Sequence, residues 1–422
     1  MPLKVVEKLT RHKKPTVPKY LVSLDIGTEF VKALICKVTK EGLEVIGTGR
    51  QRQRLTDMQS GAVTDIAGVV DNCDTALKMA EKMSGIIAHD VVIGIAGELV
   101  KGTSTIVKYR RLKPEVAIEM PELKQILDQV QAKALTAAKE QLNWETGYEE
   151  LEVKLVNTAV VDVQIDGYRI TNPIGFQGKD VSIQLFCAFA PLVHIGALQR
   201  VAKDLDLNLV SITAEPFAVA RSVGEQESAE FSAIFIDLGG GTTDIALVNN
   251  GGVEGTKMFA IGGRSFTKRL AQVTNLSYEK AEEMKLAYSA GSLDRDKIKI
   301  VEDAFAADIQ VWLSGVELSL AEFNRIDHLP AKILLCGGGT GLPLIVKALK
   351  EADWYKNLPF TRAPSVNHIT PEQVVRIKDR TGKLINYADI TPMALANIGF
   401  DTIGNADTSR SILEKLTKMI ES

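Results

Sequence analysis

Asp237 closes the apolar run Phe235-Ile236 and is followed by Leu238, Gly239, Gly240, Gly241, Thr242 and Thr243, before a second apolar run from Ile245 to Val248. Without Cβ atoms, glycines let backbone N–H groups approach an anion and form a concave nest. The threonine hydroxyls add donors, and a carboxylate such as Asp237 can hold Mg²⁺ through its water shell. The element that must carry these groups is a β-hairpin with its functional residues at the bend. An ordinary glycine-rich hairpin has the same pattern, so this stretch alone leaves both readings open.

Two other stretches share its grammar. Near the N-terminus, Leu21 to Ile35 reads as a strand, an Asp25-Ile26-Gly27-Thr28 bend and a second strand that carries Lys32, which points to an internal duplication. Further on, Ile333 to Cys336 is a strand running into Gly337, Gly338, Gly339, Thr340 and Gly341 and then a helix start at Pro343. That arrangement can receive a nucleotide against backbone.

In this order and at these separations, the three stretches resemble the actin-like ATPase superfamily, which also includes sugar kinases and heat-shock ATPases. The resemblance implies an α/β fold of the actin-like (ribonuclease H-like) kind, duplicated into two domains around a cleft for ATP and Mg²⁺. Asp25 and Asp237 would hold the metal's waters. The two bends, with Gly27, Thr28 and Lys32 in one and Gly239, Gly240, Gly241, Thr242 and Thr243 in the other, would clamp the phosphates. Gly337, Gly338, Gly339 and Thr340 would support the adenosine.

The bounds set by composition agree. A chain of 422 residues, 45% hydrophobic, can bury a core large enough for two domains with insertions. A net charge of −3 does not suggest a nucleic-acid partner. Cys36, Cys73, Cys187 and Cys336 are far apart and form no Cys-x-x-Cys pair, so they read as buried thiols of a reducing cytoplasm. With no run of 18 apolar residues and no apolar signal core, neither a membrane span nor a cleaved export signal is expected. Residues 1–19 form a basic tail, interrupted by Pro15 and Pro18, that is expected to be solvated or to meet an acidic surface.

Along the chain, a helix is expected over Ile66 to Met83 with Asp65 as its N-cap, followed by a strand from Val91 to Gly97. A helix over Met120 to Gln141 and strands over Ala159 to Ile165 and Val181 to Phe186 then read as a compact α+β module at residues 89–188. An α+β insertion in the first domain narrows the resemblance to the FtsA-like bacterial cell-division branch, with the PilM-like proteins of type IV pilus assembly as its relative. Gly61-Ala62-Val63-Thr64-Asp65, Val92 to Gly97 and Ile170 to Gly178 favour the FtsA-like side. The expected domains are 20–88 with 189–230 and 385–408, then 231–267 with 331–384, with a helical subdomain inserted at 268–330.

Glu215 precedes Pro216, which suits the first turn of a helix, so its carboxylate can point from a helix start. The resemblance gives it the role of activating the attacking water, and the alternative is a carboxylate that only stabilises the helix end. Gly262 lies in a turn resembling the family's entry into its next helix. Glu282 and Lys285 share a helix face and resemble a pair that contacts ribose and adenine, although an exposed salt bridge has the same spacing.

The segment 409–422 places Ile412, Leu413, Leu416, Met419 and Ile420 at helical spacing. It is read as an interfacial membrane helix, or as a helix packed on the protein's own surface. For an FtsA-like protein the expected activity is slow Mg²⁺-dependent ATP hydrolysis used as an assembly switch. Expected partners are the FtsZ C-terminal tail at the 268–330 region, further copies of itself in a filament, and the inner face of the cell membrane. A PilM-like adaptor would need no lipid-binding tail. A sugar or metabolite kinase would need a catalytic Asp and sugar-binding residues for which no clear stretch is found.

Overall fold

The computed structural model describes residues 18–147, 151–223 and 231–404. Most of the basic tail and the whole amphipathic segment 409–422 lie outside the described residues.

The chain opens with β1 (Tyr20–Ile26), β2 (Phe30–Val38) and β3 (Leu43–Arg52) as an antiparallel meander. The two-residue strands β4 (Met58–Gln59) and β5 (Ala62–Val63) follow, and then helix α1 (Ile66–Ser84). Asp65 caps α1 as expected, its side chain accepting from the Gly68 N–H. Val69, Cys73, Ala76, Leu77 and Ala80 form the buried face of α1, which lies close on β3. The approach depends on Gly49, where a Cβ would stand 1.8 Å from the Ala76 carbonyl oxygen.

Next come β6 (Asp90–Ile95), β7 (Lys101–Arg110), α2 (Met120–Thr146), β8 (Val153–Ile165), β9 (Tyr168–Arg169) and β10 (Asp180–Pro191). They are followed by α3 (Leu192–Asp204), β11 (Asn208–Ala214) and α4 (Glu215–Ser222). The second half contains β12 (Ala233–Leu238), β13 (Thr243–Asn249), β14 (Gly252–Phe259), α5 (Gly263–Thr274), α6 (Tyr278–Ser289) and α7 (Arg295–Ala321). It ends with β15 (Lys332–Cys336), α8 (Pro343–Glu351), β16 (Ser365–His368), β17 (Ile377–Asp379) and α9 (Ile390–Gly404).

Among the described residues these strands make two large sheets. The first has the order β11-β6-β1-β2-β3-β17, the second β16-β15-β12-β13-β14-β7-β10-β8-β9. Helix α9 packs on the first sheet and α4 on the second, and the two helices pack on each other. Burial on both faces explains why β12 is apolar at every position except Asp237. Its Ala233 and Phe235 face the core shared with the first sheet, whereas Ile234, Ile236 and Leu238 face a separate core with Phe266, Phe305 and Trp312 of α5 and α7.

Three particulars differ from the sequence-based expectation. Asp90–Ile95 pairs in parallel with β1 and β11, so it is part of the first sheet and not of an inserted module at 89–188. Strand β7 was not foreseen, because its polar Lys-Gly-Thr-Ser-Thr start hides the alternation. It pairs with β10 over ten residues and with β14 at Gly255 and Thr256, which makes the inserted strands continuous with the second sheet. Ile377–Asp379, expected with the second domain, pairs in parallel with β3 at the edge of the first sheet.

Candidate functional site

Asp25 and Asp237 are the next-to-last residues of β1 and β12, whose hairpins run on into β2 and β13. Each bend is closed locally, Gly27 N–H donating to the Phe30 carbonyl at 3.1 Å and Gly239 N–H to the Thr242 carbonyl at 2.9 Å. The two bends pack directly on each other. A Cβ on Gly241 would stand 2.6 Å from Thr28 Oγ1, and one on Gly240 would stand 2.6 Å from Glu29 Cβ. Glycine here is therefore a condition of the hairpins meeting. The third turn makes a similar approach, since Gly337 has φ +83° and its Cβ would fall 2.0 Å from Asp237 Oδ1.

Between the bends lies a cleft of about 250 Å³. Its floor holds Asp25, Asp237, Asp244, Glu215 and Lys32, all lining the cleft. Lys32 Nζ lies 3.0 Å from Asp25 Oδ2. Burial pulls the Lys32 amine down, but the charge and hydrogen bond of Asp25 outweigh it and leave the amine raised. Asp237 accepts a 2.6 Å hydrogen bond from Thr391 Oγ1 of α9. Burial raises the Asp237 carboxyl, and the Thr391 bond and the Lys32 charge oppose that rise. Asp244 is raised well above the ordinary range by burial and then by the Asp237 charge. Its Oδ1 has no partner. Glu215, the first residue of α4, is also raised well, by burial and then by the charges of Asp25, Asp244 and Asp237.

The walls come from the second half. Arg264 of α5 donates from Nε to Glu29 at 2.7 Å and from Nη1 to the Met58 carbonyl at 3.2 Å, both in the first half. Glu29 also accepts from Arg52 at 2.7 Å. Lys285 lies 2.8 Å from Glu282 and donates to Thr267 Oγ1 at 2.7 Å and to the Gly263 carbonyl at 3.0 Å, while Thr267 donates to Glu282. The pair is mostly buried and is not the exposed salt bridge that its spacing also allowed. At the far end Gly337, Gly338, Gly339, Leu342 and Tyr387 line the cleft.

Most of the residues singled out from sequence thus converge on one cleft, while Gly241, Thr243, Gly262 and Thr340 stand behind its lining. The Thr243 hydroxyl donates to the Ile261 carbonyl at 2.6 Å and accepts from Trp312 Nε1 at 2.9 Å, so it is committed to the core. The Thr340 hydroxyl donates to the Gly337 carbonyl at 2.7 Å and braces the third turn. Gly262 packs on Gly240, where a Cβ would meet the backbone at 2.6 Å. Sequence reasoning assigned no role to Asp244, Arg264 or Thr391. Asp244 was within reach, because two-residue alternation from Thr242 puts it on the same side of β13.

The site's chemistry fits a cation with an anion beside it. Buried carboxylate oxygens, one of them orphaned, suit a hard divalent ion, and burial that Lys32 offsets only in part is what holds these groups up. Among the described residues no three His, Cys, Asp or Glu side chains converge closely enough to hold an ion directly.

A family profile described as Cell division protein FtsA matches residues 234–381, from the second hairpin through the third glycine turn. Cell division protein FtsA of Pseudomonas aeruginosa is 27% identical over 358 residues, spanning 79% of this chain and 81% of that protein. That of Bacillus subtilis is 24% identical over 353 residues, spanning 78% of this chain and 76% of that protein. The chain is FtsA-like. Its fold is the actin-like one expected from the duplicated hairpins. A solved PilM-PilN type IV pilus biogenesis complex superposes on this FtsA-like chain with a TM-score of 0.65 at 16% identity, covering 91% of this chain and 99% of that one. At that identity the likeness speaks for the fold alone.

Proposed function

We propose that the chain is an ATP-binding actin-like protein that self-assembles at the cytoplasmic membrane and links the FtsZ ring to it during bacterial cell division. The observation that carries this is the meeting of two Asp-bearing hairpins at one acidic cleft, in a chain similar over most of its length to cell division protein FtsA. Asp25 and Asp237 would hold the waters of a Mg²⁺ ion, which, when bound, stabilises charge on the phosphoryl oxygens. Thr28 and Thr242 hydroxyls and the glycine amides would cradle the phosphates. Glu215, protonated more readily than an ordinary carboxyl, would orient the attacking water and take its proton. Hydrolysis would be slow and would serve as a switch for closure and assembly.

The cleft would pass its state to partners through the helices that wall it. Glu282 and Lys285 would meet the ribose and adenine, and the helices of residues 268–330 would receive the FtsZ C-terminal tail. Segment 409–422 would lie on the inner face of the membrane. Among the described residues no helix is long and apolar enough to cross a membrane. The PilM-like reading is less favoured, because it rests on fold likeness while the curated relatives cited carry the cell-division name.

Sedimentation with anionic liposomes in Mg²⁺-ATP, comparing the full chain with one ending at Thr408, tests the membrane part. The proposal expects only the full chain to pellet with lipid and to carry FtsZ tail peptide with it. Equal behaviour of the two chains would count against it.

A further inference from the structure

Arg264 is 7% exposed and reaches from α5 across the cleft to Glu29 and the Met58 carbonyl. Those two bonds use Nε and Nη1. Its Nη2 is buried without a partner, although the residue lines the cleft. A guanidinium is a fork whose planar donors match phosphate oxygens, and a dry, unpaired arm is costly.

The surroundings say what would satisfy it. The Gly263 and Arg264 N–H groups donate to the carbonyls of Gly239 and Gly240 at 2.9 and 2.8 Å, so the start of α5 is already capped by the second hairpin. The guanidinium Nη2 and the neighbouring Tyr278 hydroxyl are the side-chain donors of this corner left without a partner. Arg52 and Arg264 together face one carboxylate, Glu29, which leaves an excess of positive charge on this wall. The opposite charge collects on the floor, where Asp25, Asp237, Asp244 and Glu215 face Lys32 and Arg50. A floor short of cations and a wall short of anions are the two ends of a metal-bound polyphosphate.

We propose that Arg264 is a phosphate ligand of the cleft. Nη2 takes an oxygen of a polyphosphate entering between the two bends, while Nε and Nη1 keep their hold on the first half of the chain. One side chain then binds the ligand and ties the halves together. The proposal rests on the ATP-binding reading for its ligand class, but not for its anion site.

The test is calorimetric binding of Mg²⁺-ATP, adenosine and inorganic tripolyphosphate to the full chain and to Arg264→Gln and Arg264→Lys. A charged hydrogen bond of this kind is worth roughly ten- to a hundredfold in affinity. Arg264→Gln is expected to lose that factor for Mg²⁺-ATP and tripolyphosphate with adenosine unchanged. Arg264→Lys, which keeps the charge and guards against loss of fold, is expected to lose a smaller factor. Unchanged Mg²⁺-ATP affinity in both variants would overturn the proposal, and so would an equal loss for adenosine, which would mark a structural role. If the unsubstituted chain bound tripolyphosphate through Arg264 but not Mg²⁺-ATP, the anion site would stand and the nucleotide reading would fall. If it bound neither, both would fall.

Discussion

Lys32 and Asp244 hold the same place in the two hairpins, each directly across the ladder from the aspartate next to last in the preceding strand, Lys32 from Asp25 and Asp244 from Asp237. The duplication is thus symmetric in backbone and opposite in charge. In the first half the aspartate is neutralised by its own hairpin. In the second it faces another carboxylate, with the Thr391 hydroxyl as its hydrogen-bond donor. The cleft is pre-neutralised on one side and left to attract a cation on the other.

Replacing Lys32 should expose that asymmetry. Lys32→Gln leaves Asp25 buried beside Asp237 without its counter-ion, a change that costs about 3–5 kcal/mol when the pair is fully buried. Chemical denaturation should show the loss in metal-free buffer and partial recovery in millimolar Mg²⁺. A loss that Mg²⁺ does not reduce would mean the ion does not reach this floor.

Stability should also respond to pH in a particular sense. The Glu215, Asp244 and Asp237 carboxyls are raised, chiefly by burial, so the folded chain holds protons that the unfolded chain releases. Their contribution is complete below the unfolded carboxyl values, near pH 4, and is lost as pH rises through the higher folded values. Glu215→Gln and Asp244→Asn should therefore stabilise the metal-free protein at pH 8 by about 0.5–2 kcal/mol, with little effect near pH 4. Denaturant midpoints across that range check both the size and the sign.

The adjacent threonines should separate cleanly. Thr243→Val removes the bond to the Ile261 carbonyl and strands the Trp312 indole N–H, which should cost about 1–3 kcal/mol and alter tryptophan fluorescence. Thr242 lines the cleft and makes one long 3.4 Å contact with Asp244, so Thr242→Val should leave stability nearly unchanged and weaken ligand binding. The reverse pattern would place the phosphate-facing hydroxyl at the wrong residue.

Gly337→Ala should disturb the floor from the third turn. The new methyl would overlap Asp237 Oδ1 on a backbone at φ +83°, so the carboxylate must move. A cost of about 1–3 kcal/mol and weaker Mg²⁺-dependent binding are expected. Gly338→Ala, with open space around its Cβ, should leave stability nearly unchanged and serves as the control for the fold.

The hairpins, the N-cap at Asp65 and the helix start at Glu215 were legible because each is set by local residue types: an apolar run ended by Asp, a side-chain oxygen before an apolar-periodic segment, and Pro at a first turn. What the sequence hid depends on distant partners. The polar strand β7 gains its place only by lying between β10 and β14. Arg264 reads as one more basic residue on a helix until Glu29, 235 positions away, is seen to hold it. The roles of Thr242 and Thr243 could not be told apart from their types, because what divides them is which one meets Trp312.

If the cleft between the two hairpins is a Mg²⁺-ATP site, titration of Mg²⁺-ATP into the full chain and into Asp237→Asn will show it. The substitution keeps the side chain's shape and removes its charge. The unsubstituted chain is expected to bind Mg²⁺-ATP and Asp237→Asn to bind it at least about tenfold more weakly, with adenosine affinity unchanged. Equal Mg²⁺-ATP affinity in the two proteins would contradict it.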